Sequence, residues 1–161
     1  ISKPGTLRGY ALHRLVQGLT SDKSALFVDM GDKILVRTQK GITTSGIPIR
    51  VCSFGDVLAF ELRASVGRKR KGKHIYFPLA DWRSRHEWLS RQGTLKGFEI
   101  LSLHSSSSIA KIDDGNGRKF TLDQTDFVGV LKVTDQEKFS AALRNGIGST
   151  GKTFGFGMLL I

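Results

Sequence analysis

The strongest constraint on any fold this chain can adopt lies in residues 146–161, GIGSTGKTFGFGMLLI. Five glycines alternate there with small polar residues, Lys152 and two phenylalanines, ahead of an apolar run. Glycine at that density lets backbone approach backbone, or a phosphate, without interference from Cβ. Residues 146–153 also match the phosphate-loop pattern G-x-x-x-x-G-K-[ST]. A nucleotide-binding loop of that kind follows a strand and opens a helix within a parallel sheet. Here residues 134–144 before the loop have helical character, and residues 154–161 after it have the look of a short buried strand. That order is the reverse of what nucleotide hydrolysis requires, and the strand that would carry a Mg²⁺-binding aspartate is not found downstream. Two readings remain. The loop is a phosphate cradle of free N–H groups beside Lys152, suited to an RNA backbone, or it is a glycine-rich helix-to-strand connection packed tightly for steric reasons.

Charge favours the first reading. The 161 residues hold 25 Lys and Arg against 14 Asp and Glu, a net charge of +11. Such an excess attracts a polyanion. A hydrophobic content of 39% supports a true core rather than a disordered basic tail. No apolar run approaches the ~20 residues that span a bilayer, and no signal-peptide pattern is present. The lone cysteine, Cys52, cannot form an intrachain disulfide. That fits a reducing compartment, and a cytoplasmic location is expected. The four histidines (His13, His74, His86 and His104) are scattered, with no C-x-x-C or H-x-x-x-H spacing. No metal site and no cofactor are expected.

Along the chain, a helix is predicted from Tyr10 to about Leu19, with Leu12, Leu15, Val16 and Leu19 as its buried stripe. Tyr10 and His13 fall one turn apart on a neighbouring stripe, with side chains in reach. Residues 25–30 and 33–38 are expected to form a hairpin around Gly31-Asp32, residues 39–48 a loop, and residues 49–54 another strand. Residues 57–64, VLAFELRA, alternate as a half-buried strand does. The basic tract Arg68-Lys69-Arg70-Lys71-Gly72-Lys73 lies between strand-like segments and reads as a hairpin tip. Asp81 is a candidate N-cap for a helix to about Gln92, stopped by Gly93, with Leu79, Trp82, His86 and Leu89 on its apolar stripe and Arg83, Arg85 and Arg91 extending the positive field. Residues 98–103 form a strand and Ser105 to Ser108 a flexible link. Residues 109–112 and 118–122 flank a turn over residues 113–117, and residues 127–133 form a further strand. Thr134 with Glu137 suggests a capping box for the last helix, with Gly146 as its C′ residue.

From residue 56 onward this order is βαββαβ, a ferredoxin-like plan with an added hairpin. Residues 1–55 resemble a reduced copy lacking its first strand and its second helix. The expected fold is therefore α+β, with tandem ferredoxin-like (RRM-like) domains at 1–55 and 56–161, the amino-terminal one reduced. If such a chain acts on RNA phosphodiesters, general acid–base chemistry needs a base near the 2′-hydroxyl, an acid at the leaving oxygen and cations for the developing charge. Histidine fills either proton-transfer role near neutral pH.

The segment Tyr10-Ala11-Leu12-His13-Arg14, together with the glycine-rich carboxy terminus, resembles the CRISPR repeat-processing endoribonucleases of the CasE type. Phe60-Glu61-Leu62-Arg63-Ala64 resembles that family's F-x-L-R-A strand, and Phe127-Val128-Gly129-Val130-Leu131 its F-x-G-x-L strand. The basic tract and the Trp-containing helix fall in the family's order. The resemblance implies a prokaryotic, cytoplasmic protein that binds the repeat hairpin of a precursor CRISPR RNA. It implies one metal-independent cut at the hairpin's 3′ base, leaving a 2′,3′-cyclic phosphate and a 5′-hydroxyl. It also implies retention of the product within a crRNA-guided surveillance complex of several protein subunits. By position, His13 is the catalytic histidine and Tyr10 its partner. Arg14, Arg63, Arg68, Lys69, Arg70, Lys71, Lys73, Arg83, Arg85, Gly146, Gly148, Ser149 and Lys152 are the candidate RNA contacts. A non-catalytic ferredoxin-like RNA-binding or assembly subunit would share the charge and fold, but would have no need of His13 beside Tyr10.

The phosphate-loop pattern gives a direct expectation. Lys152 serves RNA or the local fold, not ATP. Isothermal titration should detect no tight Mg²⁺-dependent ATP binding; such binding, lost in Lys152→Ala, would restore the nucleotide reading.

Overall fold

The computed structural model describes residues 1–3, 5, 7–40, 46–114 and 117–161. Its elements are α1 (Tyr10–Thr20), β1 (Leu26–Asp29), β2 (Ile34–Arg37), β3 (Val57–Ala64), β4 (Gly67–Arg70), β5 (Lys73–Tyr76), α2 (Trp82–Lys96), β6 (Phe98–Asp113), β7 (Lys119–Val133), α3 (Gln136–Asn145), a 3₁₀ turn (Lys152–Phe154) and β8 (Leu159–Leu160).

Beyond residue 56 the antiparallel sheet has the order β6-β7-β3-β8. That is the ferredoxin-like order, with the second and fourth strands at the edges. β3 sets which face is buried: Leu58, Phe60, Leu62 and Ala64 point into the core, while Val57, Ala59 and Glu61 are exposed. α2 and α3 supply Leu89, Trp88, Phe139 and Leu143 to the same core. The first part of the chain builds a smaller one. α1 places Leu12 and Val16 against Phe27 and Ile34 of the β1–β2 hairpin. Residues 1–3 run beside β2: Ser2 bridges Lys33, and the Ile34 amide donates to the Ile1 carbonyl at 2.8 Å. This short segment stands where a ferredoxin-like unit has its first strand. Together the two units follow a tandem ferredoxin-like plan with the amino-terminal one reduced. No helix among the described residues is long and apolar enough to cross a membrane.

Several sequence expectations are corrected. Residues 49–54 form no strand: Val51 and Phe54 are largely exposed, and only Cys52 turns inward. On α1, Leu19 is exposed and Thr20 is buried instead, its hydroxyl bonded to the Val16 carbonyl at 2.8 Å. α2 runs through Gly93, which packs under Phe98, and ends only at Gly97 in the left-handed region. Its inner face is Arg85, Trp88, Leu89 and Gly93, so Leu79 and Trp82 lie outside. The capping residue of α3 is Asp135, whose carboxylate accepts from the Lys138 amide at 3.0 Å. The serines at 105–108 are not a link. They lie inside one sixteen-residue strand, held register by register against residues 124–127 of β7. Of the loop expected at 39–48 and the turn at 113–117, residues 41–45 and 115–116 lie outside the described residues.

The largest correction is Arg85. It is fully buried, bonded through both terminal nitrogens to Asp123 at 2.8 and 2.7 Å and to the Phe77 carbonyl at 2.9 Å. Asp123 also accepts from the Val66 amide and the Thr125 hydroxyl. Arg85 therefore ties α2 to β7 and to the segments after β3 and β5, and its complete burial leaves no surface of it for a ligand. Removing one partner of such a pair strands the other charge in the core. Arg85→Ala is expected to lower unfolding stability by about 3–5 kcal/mol, and Arg83→Ala on the exposed face of α2 by less than about 0.5. Urea denaturation of the two variants checks the contrast.

Candidate active site

The site is built on the first turn of α1. Gly9 precedes the helix with φ 57°. A Cβ at Gly9 would lie 2.7 Å from the Asp113 carbonyl oxygen, so the tip of the β6–β7 hairpin rests on the helix start. That contact follows from the length of the hairpin. Residues 125–132 of β7 pair with β3, whereas residues 119–124 pair only with β6. The outer half is a two-stranded ribbon that reaches α1.

Tyr10 and His13 lie one turn apart, with ring centroids 5.6 Å apart. Both are half-buried. His13 also approaches Phe27, at 6.5 Å between centroids, and its Nδ1 is buried with no hydrogen-bond partner among the described residues. Burial pushes the imidazole below its ordinary value of 6.5, so the ring is neutral at neutral pH. Two depressions meet here. His13 borders one with Lys23, Asn145, Lys152 and Thr153. Tyr10 borders the other with Arg118, Phe120, Thr153 and Phe154. Thr153 lies in both, so the glycine-rich segment separates and links them.

That segment follows α3 and leads through the 3₁₀ turn into β8, which is the helix-to-strand order expected from the sequence. Lys152 Nζ donates to the Asn145 carbonyl at 2.6 Å, leaving further N–H groups beside His13. Burial, and more weakly the charge of Lys96, lowers its pKa. Gly146 belongs to the fold rather than to a ligand. It is buried, its amide donates to the Ala142 carbonyl, and a Cβ there would meet the Gly157 carbonyl at 2.6 Å. By contrast, the amides of residues 148–151 donate to no acceptor among the described residues.

The structure thus brings Tyr10, His13 and Lys152 together, and adds Arg118, which the sequence reading missed. Arg118 lies over the Phe120 ring at 5.9 Å, and that ring meets Phe154 edge-on at 5.4 Å. The signal that would have found Arg118 was strand length, hidden by the serine run. The other candidates are dispersed. Arg14 is exposed on α1. Arg63 is half-exposed and paired with Asp126 through Nε at 2.6 Å. Arg83 is exposed over Trp82. Arg68, Lys69, Arg70, Lys71 and Lys73 are all exposed on the β4–β5 hairpin. Lys71 and Gly72 turn that hairpin with φ of 49° and 77°, the two-residue turn with both central residues left-handed. None of its cations has a carboxylate within 4.0 Å among the described residues. Lys69 meets Gly148, Ser149 and Thr150 across a second cavity on the other side of the glycine-rich segment.

The family model described as "CRISPR associated protein" matches residues 6–161. The chain belongs to this family. Among solved structures, its fold is similar to that of Thermus thermophilus Cse3 bound to an RNA representing a pre-cleavage complex. There the identity is 19% and the TM-score 0.79, over 99% of this chain and 95% of the other. It is also similar to the CRISPR-associated protein Cas6e from Escherichia coli K-12, at 21% identity and TM-score 0.72, over 94% and 90%. A chain of E. coli Cascade bound to a PAM-containing double-stranded DNA target matches at 19% and 0.64, over 94% and 88%. No curated protein sequence matches.

Proposed function

We propose that the chain is a metal-independent endoribonuclease that binds the repeat hairpin of a precursor CRISPR RNA, cuts once at its 3′ base and stays with the product in a crRNA-guided surveillance complex. The observation that carries this reading is the Tyr10–His13 pair, set one helical turn apart between two depressions that hold Lys152 and Arg118. A module that only bound RNA would have no use for a half-buried neutral imidazole there. The shared fold of Cse3, an endoribonuclease bound to 19-nucleotide RNA in one solved structure, supports the same reading.

In the proposed reaction the neutral His13 ring accepts the proton of the 2′-hydroxyl. The freed oxygen attacks the adjacent phosphorus, and the P–O5′ bond breaks. Tyr10 positions the phosphodiester and delivers a proton to the departing 5′-oxygen. Lys152 and Arg118 stabilise the equatorial charge of the pentacoordinate state. The products are a 2′,3′-cyclic phosphate and a 5′-hydroxyl. The β4–β5 hairpin grips the backbone of the RNA stem, away from the reacting bond. The proposed units divide at residue 55, so the reacting pair belongs to the first and most of the grip to the second.

A positioned base is commonly worth about 10²–10⁴ in rate. His13→Ala is expected to cut that much more slowly in single-turnover assays, while binding a repeat hairpin with unchanged affinity. Tyr10→Phe, which keeps the ring packing, should lose less. Cutting should persist in EDTA and stop when the scissile nucleotide carries 2′-deoxyribose. With His13 as base and its pKa lowered, the rate should rise with pH through a midpoint below 6.5 and level off above it. A rate that falls through that midpoint would make His13 the acid instead. Wild-type cutting by His13→Ala would refute the assignment, and a pure binding subunit would show no cleavage at all.

The grip has its own measurement. Neutralising Arg68, Lys69, Arg70 and Lys71 together should lower the slope of log affinity against log salt by up to about four. An unchanged slope would place the RNA elsewhere.

A further inference from the structure

The second cavity has a different chemical character from the one at His13. It holds about 140 Å³ between the end of β3, the base of the β4–β5 hairpin, α2 and the glycine-rich segment. At ~30 Å³ per water it has room for about five waters, the scale of a single heterocycle. Ser65 lines it, is only 4% exposed, and its hydroxyl has no hydrogen-bond partner among the described residues. A buried hydroxyl left unpaired costs free energy, and native proteins rarely keep one without a reason. Gln92 and His74 line the same space and bond to no other side chain or backbone group among the described residues. His74 is fixed in place: it sits opposite Lys69 in the hairpin register, over Gly67, and packs edge-on against Tyr76 at 4.8 Å. His74 is exposed on one side, and partial desolvation lowers its pKa, which favours the neutral ring with one donor and one acceptor.

Ser65, Gln92 and His74 thus each offer an acceptor as well as a donor. Phosphate oxygens accept only, and would leave those acceptors unmatched. A nucleobase edge presents donors and acceptors side by side. The edge of Trp88 forms part of the wall, close enough that a Cβ on Gly148 would lie 3.2 Å from it. We infer that this cavity is a nucleobase pocket, which receives one unpaired base of the bound RNA against Ser65, Gln92 and Trp88. Lys69 and the free amides of residues 148–150 stand at its margin, where the phosphates flanking that base would run. The inference rests on the RNA-binding reading above and adds a site for sequence recognition that does not depend on pairing in the stem.

Trp88 reports on the pocket directly. In a Trp82→Phe background of the full chain, the four nucleoside monophosphates, ribose 5-phosphate and inorganic phosphate are each titrated to about 10 mM, with the tryptophan emission followed. At least one nucleotide should shift the emission saturably in the millimolar range while ribose 5-phosphate and phosphate leave it unchanged. Ser65→Ala removes a hydroxyl that bonds nothing among the described residues. It should therefore leave the melting temperature unchanged or raise it, and weaken the responding nucleotide about five- to tenfold. Gln92→Ala, at a half-exposed position, should weaken it in the same way and carries the test if Ser65→Ala folds poorly. An equal response to ribose 5-phosphate would make this an anion site. No response to any nucleotide, or unchanged affinity in both variants, would also overturn the inference. The titration involves no cleavage. A chain that cuts RNA but shows no base response loses only the pocket, and one that binds the base but does not cut loses only the cleavage reading.

Discussion

The close approach of two backbone stretches, at Gly146–Ile147 and at Gly157, holds the rest of the molecule in place. The Ile147 amide donates to the Gly157 carbonyl at 2.8 Å, and the Gly157 amide to the Arg63 carbonyl at 2.7 Å. Both glycines have positive φ, and a side chain on either would strike the carbonyl of the opposite stretch. This crossing joins the end of α3 to β3 and sends the chain on to β8. Neighbouring contacts depend on it. Met158 packs on Leu26 and Val28 of β1. The Arg37 guanidinium donates to the Leu143 and Leu159 carbonyls at 2.9 and 2.8 Å, fastening β2 across the same joint. The small amino-terminal unit is therefore held to the larger one chiefly through this segment. Lys152 and Thr153, which face α1, are displayed by the loop that the crossing closes.

The consequence for chemistry is positional. His13 is on a helix packed by Leu12 and Val16, and Lys152 is on a loop anchored by backbone bonds, so neither side chain depends on a mobile support. Placement on supported elements is what a reaction dependent on alignment requires.

Much of this was legible in the sequence where local physics decides structure. The alternation of residues 57–64 fixed both the strand and its inward face, and the spacing of Tyr10 and His13 placed them on one turn. Left-handed positions filled by Lys71 and Gly72 completed a hairpin that charge alone could not specify. Misses occurred where a distant partner decides. Ser105 to Ser108 have weak strand preference, yet a complete ladder with β7 makes them strand. Arg85 is chemically the same as Arg83, and it is the carboxylate of Asp123, 38 residues away, that gives it a charged partner in the core. Residues 49–54 have the composition of a strand but no neighbour to pair with. Gly93 resembles a helix stop, but Phe98 needs a glycine beneath it. The resemblance to a known family carried the assignment of His13, whereas Arg118 and the cavity at Ser65 emerged only from three-dimensional proximity.

The β6–β7 hairpin acts as a ruler. Each residue along a strand advances the chain by about 3.3 Å and reverses the face on which its side chain lies. Losing one residue from each strand of the outer ribbon would pull the tip back by about that distance and turn Arg118 to the far side. Losing two would restore the face but retract it by roughly 7 Å. The ribbon is thus strict in length, and its inner end carries Asp123, the buried partner of Arg85. In sequences that share this architecture, insertions and deletions between residues 110 and 121, beyond the Asp123 anchor, are the changes that would detach Arg118 from Tyr10 while leaving the other elements where they are.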